Sequence, residues 1–195
     1  MSLSDPVTPA VAEFWAARRA EDPSLPEPMP EVWAFGATAE HADALLALVL
    51  AGTKTGTASS LWDYEHTGDP IPAVGDFSII LDGAGEPHAL LRTTAIDVVP
   101  FNEVTAEHAH SEGEGDQTLS YWRASHERYW REHSESPRGF ESDMPIICER
   151  FEPAVPGELE SDRHARGAGF TIVTCHDTAP STLSPGMRAG GPNST

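Results

Sequence analysis

The chain has 195 residues, and its 12 basic and 31 acidic side chains give a formal net charge of −19. Such a field repels phosphate backbones and excludes a general coat protein for DNA or RNA; the two cysteines are too few for a disulfide scaffold. The longest apolar run, residues 44–51, is far short of the ~20 residues that span a bilayer, and the first residues lack a signal-peptide pattern, so a cytoplasmic protein is expected.

Residues 11–20 predict a short helix with Val11, Phe14, Trp15 and Arg18 along one side. Four prolines within residues 21–31 then impose an extended linker. Thr38 is a good N-cap for a helix running to Ala51. Ala42, Leu45, Leu46, Val49 and Leu50 form its apolar face, and Gly52 stops it. Residues 55–61 and 77–81 read as strands. Residues 82–86 form a glycine-rich hairpin loop, and 88–98 the returning strand. A short helix is expected over 105–111, a loop over 112–117, a helix capped by Thr118 to about residue 135, and a last strand over 146–151. Helices set between strands without regular alternation predict an α+β domain on a mixed sheet or small barrel. From residue 156 onward Gly, Pro, Ser and Thr dominate, which predicts a disordered tail. The organisation expected is therefore an N-terminal helix and linker (1–31), one domain (32–155) and a tail (156–195). Residues 1–155 hold 9 basic and 27 acidic side chains, so the charge belongs to the domain itself.

Lys54 is the only lysine. Between a helix end and a strand, an amine near low-dielectric packing can act as a base, and Thr57 three residues on is a candidate nucleophile. The plainer reading is a surface lysine completing a helix dipole. The segment is not a phosphate-binding loop, because helix precedes strand and the second glycine is not next to the lysine. Glu112, Glu114 and Asp116 alternate with glycines, which lets carboxylates bend into a cleft; Asp116 alone is explained by the following helix N-terminus. His108 and His110 next to Glu112 and Glu114 are a weak metal pattern, and His126-Glu127 lacks the second histidine of a zincin helix, so no metal is expected. Trp33, Phe35, Trp62 and Tyr64 flank the lysine segment as candidate stacking residues, with core packing the alternative. Cys148 is most simply a buried thiol, and Arg150 after it is a candidate anion clamp.

The segments Trp33 to Thr38, Ala42 to Thr55, Val74 to Asp76, Ser111 to Trp122 and Cys148 to Phe151 together resemble the ASCH domain family. The resemblance covers roughly residues 32–153. It implies a PUA-like fold, a small mixed β-barrel flanked by helices, with a cleft floored by the Lys54 segment. Members of this family were proposed to bind RNA. Small members hydrolyse N4-acetylcytidine with a lysine, a threonine and a glutamate, and others act as ribonucleases. The matching positions here are Lys54, Thr57 and Glu112. Those amidohydrolases carry an arginine two residues after the threonine, where this chain has Ser59.

Two functions are therefore expected in competition. One is an amidohydrolase in which Lys54 deprotonates Thr57, Thr57 attacks the acyl carbon and Glu112 assists. The other is an RNA-binding module or ribonuclease. It requires Arg123, Arg128 and Arg131 to join Lys54 and Arg150 at the cleft mouth. Trp33, Phe35, Trp62, Tyr64, Glu114 and Arg150 are the expected ligand contacts. The expected partner is a nucleoside-like ligand or a few nucleotides of RNA, with no long nucleic acid, no membrane and no cofactor. The sequence does not set an oligomeric state.

Overall fold

The computed structural model describes residues 7–154. The element order is α1 (Pro9–Glu21), β1 (Glu31–Ala34), α2 (Ala39–Leu50), β2 (Gly56–Ser60), α3 (Leu61–Thr67), β3 (Phe77–Leu81), β4 (Pro87–Pro100), a 3-10 turn (Phe101–Glu103), α4 (Ala106–Glu112), α5 (Leu119–His133) and β5 (Pro145–Pro153). The tail expected after residue 155 lies outside the described residues.

All five strands belong to one mixed sheet in the order β1-β3-β4-β5-β2. Only the β1–β3 pair is parallel. The sheet curls into a half-barrel with helices at its flanks, an α+β, PUA-like architecture.

Strand alternation sends successive side chains to opposite faces. On β3 and β4, Ile79 and Leu90 pack under α1 with Val11 and Trp15. Their neighbours Ile80 and Leu91 pack under α2 with Leu45, Leu46 and Val49. A third cluster gathers Trp62, Phe101, Trp122, Trp130 and Met144 around Ile146 and Cys148 of β5.

The caps follow the sequence. Thr38 Oγ1 accepts from His41 N at 3.2 Å, and Thr118 Oγ1 from Tyr121 N at 3.1 Å. The end of α2 is a Schellman turn: Gly52 has φ +71°, Gly52 N donates to Val49 O and Thr53 N donates to Leu48 O. This turn reverses the chain and delivers Lys54 to the start of β2. Two elements depart from the sequence reading. Residues 31–34, where the linker ends and no strand is expected, are the edge strand β1. Leu61 begins α3 rather than ending a strand, because Ser60 Oγ accepts from Asp63 N and starts a helix there.

Candidate functional site

Glycines let β2, α4 and the loop after α4 approach one another. A Cβ on Gly56 would collide with Ser111 Oγ of α4, and one on Gly113 would lie 2.8 Å from Thr53 O. Gly113 also has φ +70°, which favours glycine. Thr55 N donates to Ser111 O at 2.7 Å, tying the two segments together. The last residue of α4, Glu112, is thereby pressed against Lys54.

Both side chains are closed to water, Lys54 at 2% and Glu112 at 1% exposure. Lys54 Nζ donates to Glu112 Oε2 at 2.9 Å and to Glu114 Oε1 at 2.8 Å. It also stands 5.3 Å above the Phe35 ring, a cation–π contact. Glu112 Oε1 accepts from Trp122 Nε1 at 2.6 Å, and His108 Nε2 lies 3.2 Å from it.

His126 of α5 completes the cluster. Its Nε2 lies 3.7 Å from Glu112 Oε1, and its ring stacks on Trp122 with centroids 4.2 Å apart. Its Nδ1 lies 3.0 Å from the Trp122 carbonyl oxygen, which can only accept, so Nδ1 carries a proton. In the neutral ring the Nε2 lone pair would then face a carboxylate; the imidazolium removes that conflict.

The electrostatics agree with this geometry. Burial opposes charge on Lys54, yet Glu112 and Glu114 together outweigh it and raise the ammonium's pKa. Burial likewise opposes charge on Glu112, and Lys54 and His126 hold its carboxyl well below the usual range. Burial also lowers His126, but Glu112 outweighs it and the ring's pKa is raised. Lys54 is therefore an ammonium between two carboxylates, which removes its expected role as a base for Thr57. Two of its three N–H donors are taken, and one remains for a ligand oxygen.

This cluster floors a cavity of about 1370 Å³. Lys54, Thr57, Glu112, Glu114, Trp33, Phe35 and Tyr64 all line it. Trp33 packs edge-on against Phe35 with centroids 4.6 Å apart. Burial, followed by the Glu149 charge, pushes the Tyr64 phenol up to about 12. Two expected contacts lie elsewhere. Trp62 belongs to the core around Ile146 and Cys148, with the Arg138 guanidinium 3.4 Å above its ring. On α3 the spacing of two residues turns Trp62 and Tyr64 to different sides of the helix. Arg150 shares the strand face of Cys148, and its guanidinium lies 3.3 Å from Glu107. The opposite face of β5 presents Glu149 to the cavity.

The walls carry eight acidic and two basic side chains, the latter Lys54 and Arg128. Of the other arginines that an RNA interface would need, two are engaged elsewhere. Arg123 donates to Asn102 O, and Arg131 pairs with Glu127 at 2.7 Å. Burial, followed by the charges of Glu31 and Asp76, pushes Glu149 up to about 7 against the hydrogen bond it accepts from Thr93. Burial also pushes the Cys148 thiol up to about 12, so this cysteine is an inert core residue rather than a nucleophile. Among the described residues, no group of three or more His, Cys, Asp or Glu has the geometry of a metal site, and no helix is long and apolar enough to cross a membrane.

The sequence presents His126 only as an incomplete zincin pattern, and Glu149 carries no role there. His126 had a local signal, its position one turn after Trp122. Glu149 had one in strand alternation, since a buried Cys148 turns its neighbour to the other face.

A curled mixed sheet with helices at its flanks and a cavity floored by a buried lysine define a PUA-like domain. The ASCH domain model matches residues 31–154, and the chain belongs to the ASCH domain family. A crystal structure of a protein from Enterococcus faecalis is similar at 37% identity, with a TM-score of 0.68 over 74% of this chain and 87% of the other. An ASCH domain from Lactobacillus crispatus is similar at 25% identity, with a TM-score of 0.64 over 73% of this chain and 92% of the other. No functionally curated protein matches the chain.

Proposed function

We infer that this protein is an amidohydrolase acting on a small acylated nucleoside, with N4-acetylcytidine as the substrate that the family resemblance suggests. The observation that carries the reading is the Lys54 ammonium, fixed by Glu112 and Glu114 on the floor of the cavity that Thr57 also lines. A preorganised cation with one unused N–H stabilises the oxyanion that develops when an acyl carbon is attacked. Because Glu112 and Glu114 already hold it, the ammonium need not reorganise during the reaction. Thr57 supplies the hydroxyl that attacks. Trp33, Phe35 and Tyr64 give apolar faces against which a nucleobase stacks.

The acidic walls favour this reading over an RNA interface. A phosphate backbone entering the cavity would meet eight acidic side chains and gain only Lys54, Arg128 and the His126 imidazolium, of which Lys54 and His126 already face Glu112. A nucleoside without phosphate carries no such penalty.

The test is a turnover assay on N4-acetylcytidine and other N4-acylated cytidines, run beside a short RNA under the same conditions. Release of cytidine by the wild-type protein, and its loss in Thr57→Val, is expected. Cleavage of the RNA with no release from the acylated nucleosides would replace the amidohydrolase reading with a ribonuclease.

A further inference from the structure

An ammonium cannot take the proton that Thr57 must lose, so the reaction needs a base from elsewhere on the cavity wall. Glu112 is unsuited to the task. Its Oε2 faces Lys54 and its Oε1 is occupied by Trp122 and His108. Glu114 Oε1 is held by Lys54 as well.

The sheet register supplies another carboxylate. Thr57 of β2 and Glu149 of β5 are direct cross-strand partners. Directly opposed residues share a sheet face, with Cβ atoms about 4.5–5.5 Å apart. Both side chains line the cavity. Among the described residues Glu149 has no ion-pair partner, and its Oε2 accepts from Thr93 Oγ1 at 3.4 Å. The titratable groups around it are Glu31 of β1, Asp76 in the loop before β3, and Tyr64 of α3. None of them is a cation. A carboxylate among acids in a partly buried wall holds a proton far better than a solvated one, and one that titrates near neutral pH is suited to general-base work.

We propose that Glu149 is the general base that activates Thr57, a role that rests on the amidohydrolase reading above. Glu149 removes the hydroxyl proton as Thr57 Oγ1 bonds to the acyl carbon. The carbonyl electron pair moves onto oxygen beside the Lys54 ammonium. As the intermediate collapses, the carbon–nitrogen bond breaks and the proton on Glu149 passes to the departing amine. Water then attacks the Thr57 ester, giving its proton to Glu149. Oγ1 leaves and regains a proton from the same carboxyl. The sum is amide plus water giving acid plus amine, with Glu149 and Thr57 restored.

Two assays on the full chain decide the matter. The first is the pH profile of kcat/KM on N4-acetylcytidine for wild type, Glu149→Gln and Thr57→Val. The second is acetylation of Thr57 by p-nitrophenyl acetate, located by peptide mass mapping. The wild-type profile is expected to fall on the acid side of neutrality. Glu149→Gln should lose that limb, drop kcat by roughly 10²–10⁴-fold and keep its KM. Thr57 should become acetylated in wild type and not in Glu149→Gln. Turnover by Glu149→Gln with an unchanged profile would overturn the role of Glu149 while leaving the amidohydrolase reading intact. Glu149-dependent acetylation of Thr57 without turnover of any acylated nucleoside would keep the base and overturn the substrate class. If Thr57 is neither acetylated nor needed for turnover, both fall.

Discussion

Lys54 and Glu112 lie 58 residues apart in sequence and meet at 2.9 Å, in a place where neither side chain sees water. A pair of this kind gains little net stability by existing, but removing one partner strands the other as a buried charge. Here the lysine neutralises two carboxylates at once, so the consequences of losing each partner differ.

Lys54→Met leaves Glu114 without a cation and Glu112 with only the His126 imidazolium, 3.7 Å away. It should destabilise the protein by about 3–5 kcal/mol. Glu114, with 17% of its side chain exposed, can turn to solvent, so Glu114→Gln should cost about 1 kcal/mol. Urea denaturation of the two variants at neutral pH checks the ranking; equal losses would contradict it.

Two groups make stability depend on pH near neutrality. Glu149 has its folded pKa raised from 4.5 to about 7, so its contribution is present below 4.5 and lost as pH rises through 7. His126 is raised above 6.5, so its contribution is present below 6.5 and lost as pH rises through its folded value. Stability should therefore fall between about pH 5 and pH 8. Glu149→Gln removes the first component and should stabilise the protein at pH 8 by about 2–3 kcal/mol. Urea midpoints at both pH values, for both proteins, measure this directly. An unchanged pH dependence in the variant would show that Glu149 ionises as freely in the fold as in the unfolded chain.

Gly56→Ala places a methyl group against Ser111 Oγ and 3.0 Å from the Glu149 carbonyl oxygen. The strand and α4 must separate, at about 1–3 kcal/mol, and Glu112 moves with α4. Ser111→Ala added to Gly56→Ala should recover part of the melting temperature, since it removes the side-chain atom but not the carbonyl. Thermal unfolding of the single and double variants tests this.

The protein should not bind a mixed-sequence RNA of ~20 nucleotides at about 150 mM salt, because non-specific binding is carried by cations that neutralise phosphates. A fluorescence anisotropy titration is sufficient. Micromolar binding with a steep salt dependence would mean that a local basic surface outweighs the net charge.

Much of this architecture is written in local pattern. Thr38, Gly52 and Thr118 mark helix ends through single hydrogen bonds or a single left-handed residue, and such signals need no tertiary context. The strand β1 is different. Four residues with no alternation become a strand only because β3 offers a parallel edge far along the chain. The site divides in the same way. Lys54, Thr57 and Glu112 were found through motif resemblance, while the lysine's charge state depends on Glu114 arriving from a loop 60 residues away. That is why the lysine reads as a base in sequence and as an ammonium in the fold. Arg150 and Glu149 are adjacent letters, and the period of two along β5 decides which one enters the cavity. His126 stayed hidden because its meaning lies in a carboxylate on another helix, which no spacing along α5 encodes.

The most direct measurement is a rapid acid quench of the wild-type protein with N4-acetylcytidine, followed by mass mapping of the peptide that contains Thr57. The account predicts an acetyl group on Thr57 in wild type and none in Thr57→Val, with cytidine released in step with its formation. Cytidine release that proceeds equally in Thr57→Val, with Thr57 unmodified in the wild type, would contradict it.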